Sequence, residues 1–224
     1  NLKEPGVERR EFAVAVDELA ARLVRLAEHR RRVLVGICGA PGAGKSTLAG
    51  LLASVVNEAE PGLACVVPMD GFHLAKSVIA ADDRATRRGA PDTFDPDGYA
   101  ALLERLRDPG STTVYAPEYR RELDDPVAGA IAVPPECRIV LTEGNYLLNP
   151  EPSWRRVRAC LDEVWYLSAP TEEIRVAALI QRHERFGKSP EHARRHVLGS
   201  DQANAELIAG YRSGAELVLR WPAW

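Results

Sequence analysis

The chain has few cysteines, no long apolar run and no excess of charge of either sign. Its four cysteines in 224 residues are Cys38, Cys65, Cys137 and Cys160. They form no CxxC pair and lie mostly in or beside apolar runs, where a thiol behaves as a small hydrophobe. They are read as reduced, buried thiols. No stretch approaches the length of a membrane span, and the opening residues NLKEPGVERREF lack the apolar centre of a secretion signal. A cytoplasmic protein with no membrane partner is the expectation. Lys and Arg number 29 against 32 Asp and Glu, for a net charge of -3. No global positive field therefore favours nucleic acid as a partner. Local basic runs such as His29–Arg32 and Trp154–Arg156 sit beside acids and read as solvated helix faces. Internal repeats and low-complexity segments are absent.

What is present is ordinary globular composition, 46% hydrophobic and 27% charged, on a length suited to one domain spanning 1–224. Residues 10–31 place Phe12, Val16, Leu19, Leu23 and Leu26 at three- and four-residue intervals, the pattern of an amphipathic helix. Short apolar runs of the buried parallel type follow at 33–38, 64–69, 139–142, 164–167 and 217–221. Helical patterns lie between them at 45–57, 97–107, 171–186 and 190–208. Thr171 is a plausible cap for the third, with Gly187 just past its end; Ser189-Pro190 restarts the next. Strands alternating with helices predict a doubly wound α/β fold, with ligands at the carboxyl ends of a mainly five-stranded parallel sheet. The Pro- and Asp-rich stretch 108–137 reads as a long loop or small insertion.

Residues Gly39-Ala40-Pro41-Gly42-Ala43-Gly44-Lys45-Ser46 fit GxxxxGK[ST], set between the apolar run VLVGIC and a helical pattern. With Thr47 they form a candidate nucleotide cradle. Backbone N–H groups turn inward around phosphate oxygens, Lys45 bridges the outer phosphates and the Ser46 hydroxyl reaches Mg²⁺. A nucleoside triphosphate, with ATP as the expected donor and Mg²⁺ as cofactor, follows from this motif. The fate of its γ-phosphate does not.

Two carboxylates end apolar runs on the same expected sheet edge: Asp70 after ACVVPM and Glu143 in IVLTEG. One acid suffices to hold magnesium. A second facing the same phosphates repels them unless it has another task, such as accepting a proton from an attacking hydroxyl. Asp70 is therefore a candidate general base, with a carboxylate capping the turn at Gly71 as the structural alternative.

With the P-loop, MDGFHL and LTEGNYLL in view, the chain resembles the P-loop kinases that include uridine kinase, phosphoribulokinase and bacterial type I pantothenate kinase. It is closest in pattern to the nucleoside kinase-like or "fructose transport system kinase" proteins of that group, over about Val33 to Ile208. The resemblance implies a P-loop three-layer α/β/α sandwich with a helical lid at about 171–200 and acceptor-side segments at about 70–125. It implies that Asp70 activates the acceptor hydroxyl. It also implies that Phe72, His73, Arg88, Phe94, Tyr119 and Asn145, in or beside the MDGFHL, GAPDTFD, PEY and EGN segments, border the acceptor pocket. Glu143 would lie near magnesium or the acceptor, and Arg182 would be the lid arginine, with Arg175 and Arg185 as weaker candidates. Arg84 and Arg88, just before the GAPDTFD segment, could bind an anionic acceptor, with a solvated loop as the simpler reading of both. The group's pantothenate kinases carry a histidine where this chain has Arg121, and the pyrimidine-recognition pattern of uridine kinase is not evident. The resemblance thus reaches the superfamily and stops short of the acceptor. Ser200-Asp201 and Asn204 resemble a segment of the same group without an assignable contact.

These readings favour an ATP- and Mg²⁺-dependent kinase acting on an alcohol of a small metabolite such as a sugar, nucleoside or pantothenate-like compound, with a homodimer left open. A nucleotide-dependent switch ATPase with a protein partner is the alternative, but it needs no acceptor pocket, and a guanine-specifying NKxD is absent. A binding protein that has lost turnover would not need Lys45, Ser46, Asp70 and Glu143 together.

Overall fold

A computed structural model describes residues 11–13, 15–81, 83–108 and 110–221. Its centre is a six-stranded, all-parallel sheet. The strands are β1 (Glu11–Ala13), β2 (Val33–Cys38), β3 (Ala64–Val66), β6 (Ile139–Gly144), β7 (Glu163–Ser168) and β8 (Leu217–Arg220), in the order β1-β8-β7-β2-β6-β3. The pair β4 (Val114–Arg120) and β5 (Asp125–Val133) forms a separate antiparallel hairpin. The helices are α1 (Val16–Glu28), α2 (Lys45–Ala59), α3 (Lys76–Ile79), α4 (Pro96–Arg107), α5 (Pro152–Ala159), α6 (Glu172–Arg185), α7 (Pro190–His196) and α8 (Gln202–Ala209).

The alternation of side chains along β2 explains the three layers. Leu34 and Cys38 face a core shared with Tyr99 and Leu103 of α4 and Trp154 and Val157 of α5. Val33, Val35 and Ile37 face the opposite core, shared with Leu19 and Leu23 of α1 and Leu48, Leu52 and Val56 of α2. Because successive residues point to opposite faces and both faces are covered, β2 is apolar throughout. From β2 the chain runs outward to β3 and returns through β6. It then crosses to β7 on the other side of β2. That reversal of strand order opens a crevice above the carboxyl end of β2.

Three local readings change. The helix expected over 10–31 is α1 alone, and Glu11–Ala13 instead pairs with β8 as a sixth strand; Arg10 and Val14 lie outside the described residues. The strand expected over 64–69 stops at Val66, because Pro68 has no N–H for a ladder and Met69–Phe72 close into a 3-10 turn. The stretch read as a long loop or small insertion over 108–137 is the insertion, built on the β4–β5 hairpin. The helix expected over 190–208 is interrupted by a π-turn at Val197–Asp201. Cys65 and Cys137, distant in sequence, meet with sulfurs 3.1 Å apart, and all four cysteines are free thiols.

Candidate active site

The candidate phosphate cradle lies between β2 and α2. Gly44 caps α2 at φ 91°, and a Cβ there would stand 2.4 Å from the Trp221 indole nitrogen, so both backbone and space demand glycine. Lys45 is 7% exposed, and its Nζ donates to Ala40 O at 3.1 Å and to Asn145 Oδ1 at 2.8 Å. Burial pushes its pKa down, against the opposing pull of Glu143 and Asp70. The cradle is braced from behind by Arg175. This nearly buried guanidinium donates to Pro41 O at 3.0 Å and also holds Glu172 and Gln202, tying α6 to the loop.

The second acid lies at the end of β6. Glu143 is 6% exposed and accepts the Ser46 hydroxyl at 2.8 Å. Burial, then the nearby Asp70 charge, push its pKa up; Lys45 and the Ser46 hydrogen bond oppose this. Glu143 thus faces the P-loop serine, away from the wall described next.

Asp70 comes from the 3-10 turn, and two glycines let that turn sit where it does. A Cβ on Gly144 would lie 2.5 Å from Met69 Cβ, and one on Gly71 would lie 2.4 Å from Pro117 O. The turn can therefore press against the end of β6 on one side and against β4 on the other. The next residues are tied down by Leu74 N–H to Thr93 O, Asp95 N–H to Phe72 O and a His73–Phe94 bridge. The Asp70 carboxylate makes no hydrogen bond among the described residues and does not cap Gly71; Arg121 lies 3.9 Å away. Its side chain is 34% exposed and opens onto a cavity of about 510 Å³.

That cavity also reaches Pro41 of the P-loop, Asn145, and Arg182 on α6. The Arg182 Nε–H is buried without a hydrogen-bond partner among the described residues. Burial, then the Arg121 charge, lower its pKa, while Asp70, Asp201 and Glu143 act the other way. Lys45, Asp70, Glu143 and Arg182 are therefore within electrostatic reach of one another.

His73, Arg88, Phe94 and Tyr119 line the same cavity. His73 donates Nδ1–H to the Asp70 carbonyl at 2.9 Å and packs between Phe94 and Tyr119; burial lowers its pKa, which favours the neutral ring. Phe72 does not line the cavity and packs against Tyr99. Arg84 donates to Asp92 O at 3.1 Å, outside the cavity wall, and Arg185 is exposed. Thr47 is exposed at the start of α2.

Other wall residues were not legible as such. His183 meets Asp201 at 3.0 Å, and His196, Asn204 and Lys188 complete that side. The extra residue in the π-turn before α8 sets the angle at which Asp201 enters, and such turns often occur at functional positions. In the sequence only the unassigned Asp201 and Asn204 pointed here.

No protein-family model matches the chain. A Schizosaccharomyces pombe protein carrying a provisional uridine kinase name is 37% identical over 211 residues, covering 91% of this chain and 89% of that one. The chain belongs to the uridine kinase-like P-loop kinases. An Aspergillus versicolor ATP-dependent kinase-like protein is 40% identical over 154 residues, 64% of this chain and 88% of that protein. The crystal structure of a Silicibacter protein with a provisional fructose transport system kinase name superposes with TM-score 0.80 at 36% identity, covering 94% of this P-loop kinase and 100% of that chain. No described helix is long and apolar enough to cross a membrane.

Proposed function

We propose that this P-loop kinase transfers the γ-phosphoryl group of ATP to an alcohol on a small metabolite. The observation that carries the reading is the Asp70 carboxylate, which makes no hydrogen bond among the described residues and is exposed on a cavity of about 510 Å³ that reaches the P-loop. A switch ATPase has no use for such a space beside the phosphates. ATP-dependent kinase-like relatives support the donor.

Each residue has a task that its surroundings support. The P-loop backbone and Lys45 grip the phosphates; Lys45 now rests on two neutral oxygens, so a phosphate oxygen would supply the charge its ammonium lacks. Ser46 and Glu143 set two hard oxygen donors side by side, one of them anionic, which fits magnesium. Ser46 and Glu143 would hold that ion, which would supply positive charge against the phosphates. Asp70 accepts the proton of the acceptor hydroxyl as the oxygen bonds to the γ-phosphorus and the bond to the β-phosphate oxygen breaks, releasing ADP. Arg182 meets the charge on the group in flight.

The test is ADP release with ATP and Mg²⁺ against a panel of sugars, sugar acids, sugar phosphates, nucleosides and pantothenate. Release stimulated by at least one acceptor, with a phosphorylated product, is expected. A background identical across the panel and insensitive to Asp70 substitution would overturn the reading in favour of a switch or binding protein.

Glu143 yields a further expected result. Its folded-state pKa is raised, so its contribution to stability is fully present below the ordinary glutamate value of about 4.3 and is lost as pH rises through the folded value. Glu143→Gln removes that loss. Without ligands the variant should melt above the wild type near pH 8, with the gap closing toward pH 4. The thermal protection conferred by Mg²⁺ with ATP should shrink in the same protein. Melting curves with and without Mg²⁺-ATP check both signs.

A further inference from the structure

The cavity wall holds more positive charge than the transfer reaction uses. Its acids are mostly committed. Asp124 is bound by Lys76 at 2.8 Å and by the Tyr119 hydroxyl at 2.5 Å, with Arg88 3.6 Å away. Arg88 donates to the Asp124 carbonyl and to Asp125, although its Nε–H is buried without a hydrogen-bond partner among the described residues. Asp201 is paired with His183, and Glu122 points to solvent, 67% exposed, near Arg120. Three further cations line the cavity with Asp70: Arg182, Arg121 and Lys188.

Arg182 is accounted for by the transferred group. Arg121 and Lys188 are not. The Arg121 guanidinium lies over the Phe186 ring at 5.5 Å and approaches Asp70 at 3.9 Å, but it makes no hydrogen bond among the described residues. Lys188 follows Gly187, whose φ of 92° turns the chain out of α6 and brings the side chain to the cavity; its ammonium has no hydrogen-bond partner among the described residues. Burial lowers its pKa, so the charge is held there at a cost. One residue comes from the β4–β5 hairpin and the other from the lid, so both border the space where an acceptor would sit. Two cations without hydrogen-bonded partners in a partly enclosed space are complementary to a group carrying one or two negative charges.

We infer that the acceptor is an alcohol that already carries an anionic group, a carboxylate or a phosphate, gripped by Arg121 and Lys188 while its hydroxyl faces Asp70. The inference rests on the phosphotransfer reading and names its substrate class. It also explains the neutral His73 and Tyr119 walls, which would pack the uncharged body of such a molecule between the two ends.

Two measurements separate this inference from the reading beneath it. First, acceptor-stimulated ADP release is compared on matched pairs: glycerol with glycerate, ribose with ribose 5-phosphate, pantothenyl alcohol with pantothenate. The charged member should be preferred in kcat/KM, and the phosphate and carboxylate arms show which anion fits. Arg121→Gln and Lys188→Gln should each raise the acceptor KM roughly ten- to hundredfold, with the KM for ATP changed by less than about threefold. Second, inorganic phosphate is titrated by calorimetry into protein whose P-loop is filled with Mg²⁺ and a non-hydrolysable ATP analogue. Binding should be seen, and should be lost in the double variant. Neutral acceptors used as well as charged ones, or no phosphate binding with the P-loop filled, would overturn the inference while leaving phosphotransfer standing. Phosphate binding that needs Arg121 and Lys188, with no acceptor turned over, would keep the anion site and remove the transfer reading.

Discussion

Replacing Asp70 by asparagine is expected to lower kcat by about two to four orders of magnitude while leaving nucleotide affinity within a few-fold of wild type. Among the described residues the carboxylate makes no hydrogen bond, and its ion pair with Arg121 is long and partly exposed. Such a pair contributes about 0–1 kcal/mol, so the variant should melt close to wild type. Lys45, Ser46 and Glu143 remain in place to hold the nucleotide. Removing the Asp70 charge also relieves one of the influences that raise the Glu143 pKa, so the magnesium side of the site should be no weaker. Turnover with a competent acceptor, melting temperature and the dissociation constant of a non-hydrolysable ATP analogue together test the assignment. An asparagine variant that turns over at the wild-type rate would show that positioning and charge carry the reaction without a base.

The parts legible in the sequence were those with a short range. The P-loop could be read because one motif, flanked by one strand and one helix, contains all of its own geometry. Asp70 and Glu143 could be singled out because each follows an apolar run. Their division of labour could not, since it depends on contacts between elements: Glu143 turns to Ser46, 97 positions earlier in the chain, whereas Asp70 opens on the cavity. Phe72 shows the same limit, because its neighbour in sequence lines the wall and only the packing of Tyr99 draws Phe72 into the core. β1 escaped notice because a three-residue edge strand carries too little periodicity to separate from the helix that follows. Lys188 and His196 carried no motif in the sequence, and only the fold brings them to the same cavity, Lys188 just past the turn at Gly187.

Arg182 and Arg175, two turns apart on α6, should give opposite phenotypes. Arg175 is nearly buried and fully engaged, with Pro41 O, Glu172 and Gln202 as partners. Arg175→Gln strands those partners and loosens the brace behind the cradle, so a loss of roughly 2–3 kcal/mol of stability is expected, with weaker nucleotide binding as a consequence. Arg182 instead keeps a buried Nε–H without a hydrogen-bond partner among the described residues, and burial already lowers its pKa. A cation held in that condition in the resting protein contributes little to folding. Its return comes when negative charge develops on the transferred group and the surrounding water has been excluded. Arg182→Gln should therefore melt at or above the wild-type temperature and lose about 10³-fold or more in kcat, the scale seen when an arginine that stabilises phosphoryl transfer is removed. Unfolding curves and steady-state kinetics on the two variants make the comparison. A destabilised Arg182→Gln protein with an unchanged rate would make this arginine a second brace with no part in phosphoryl transfer.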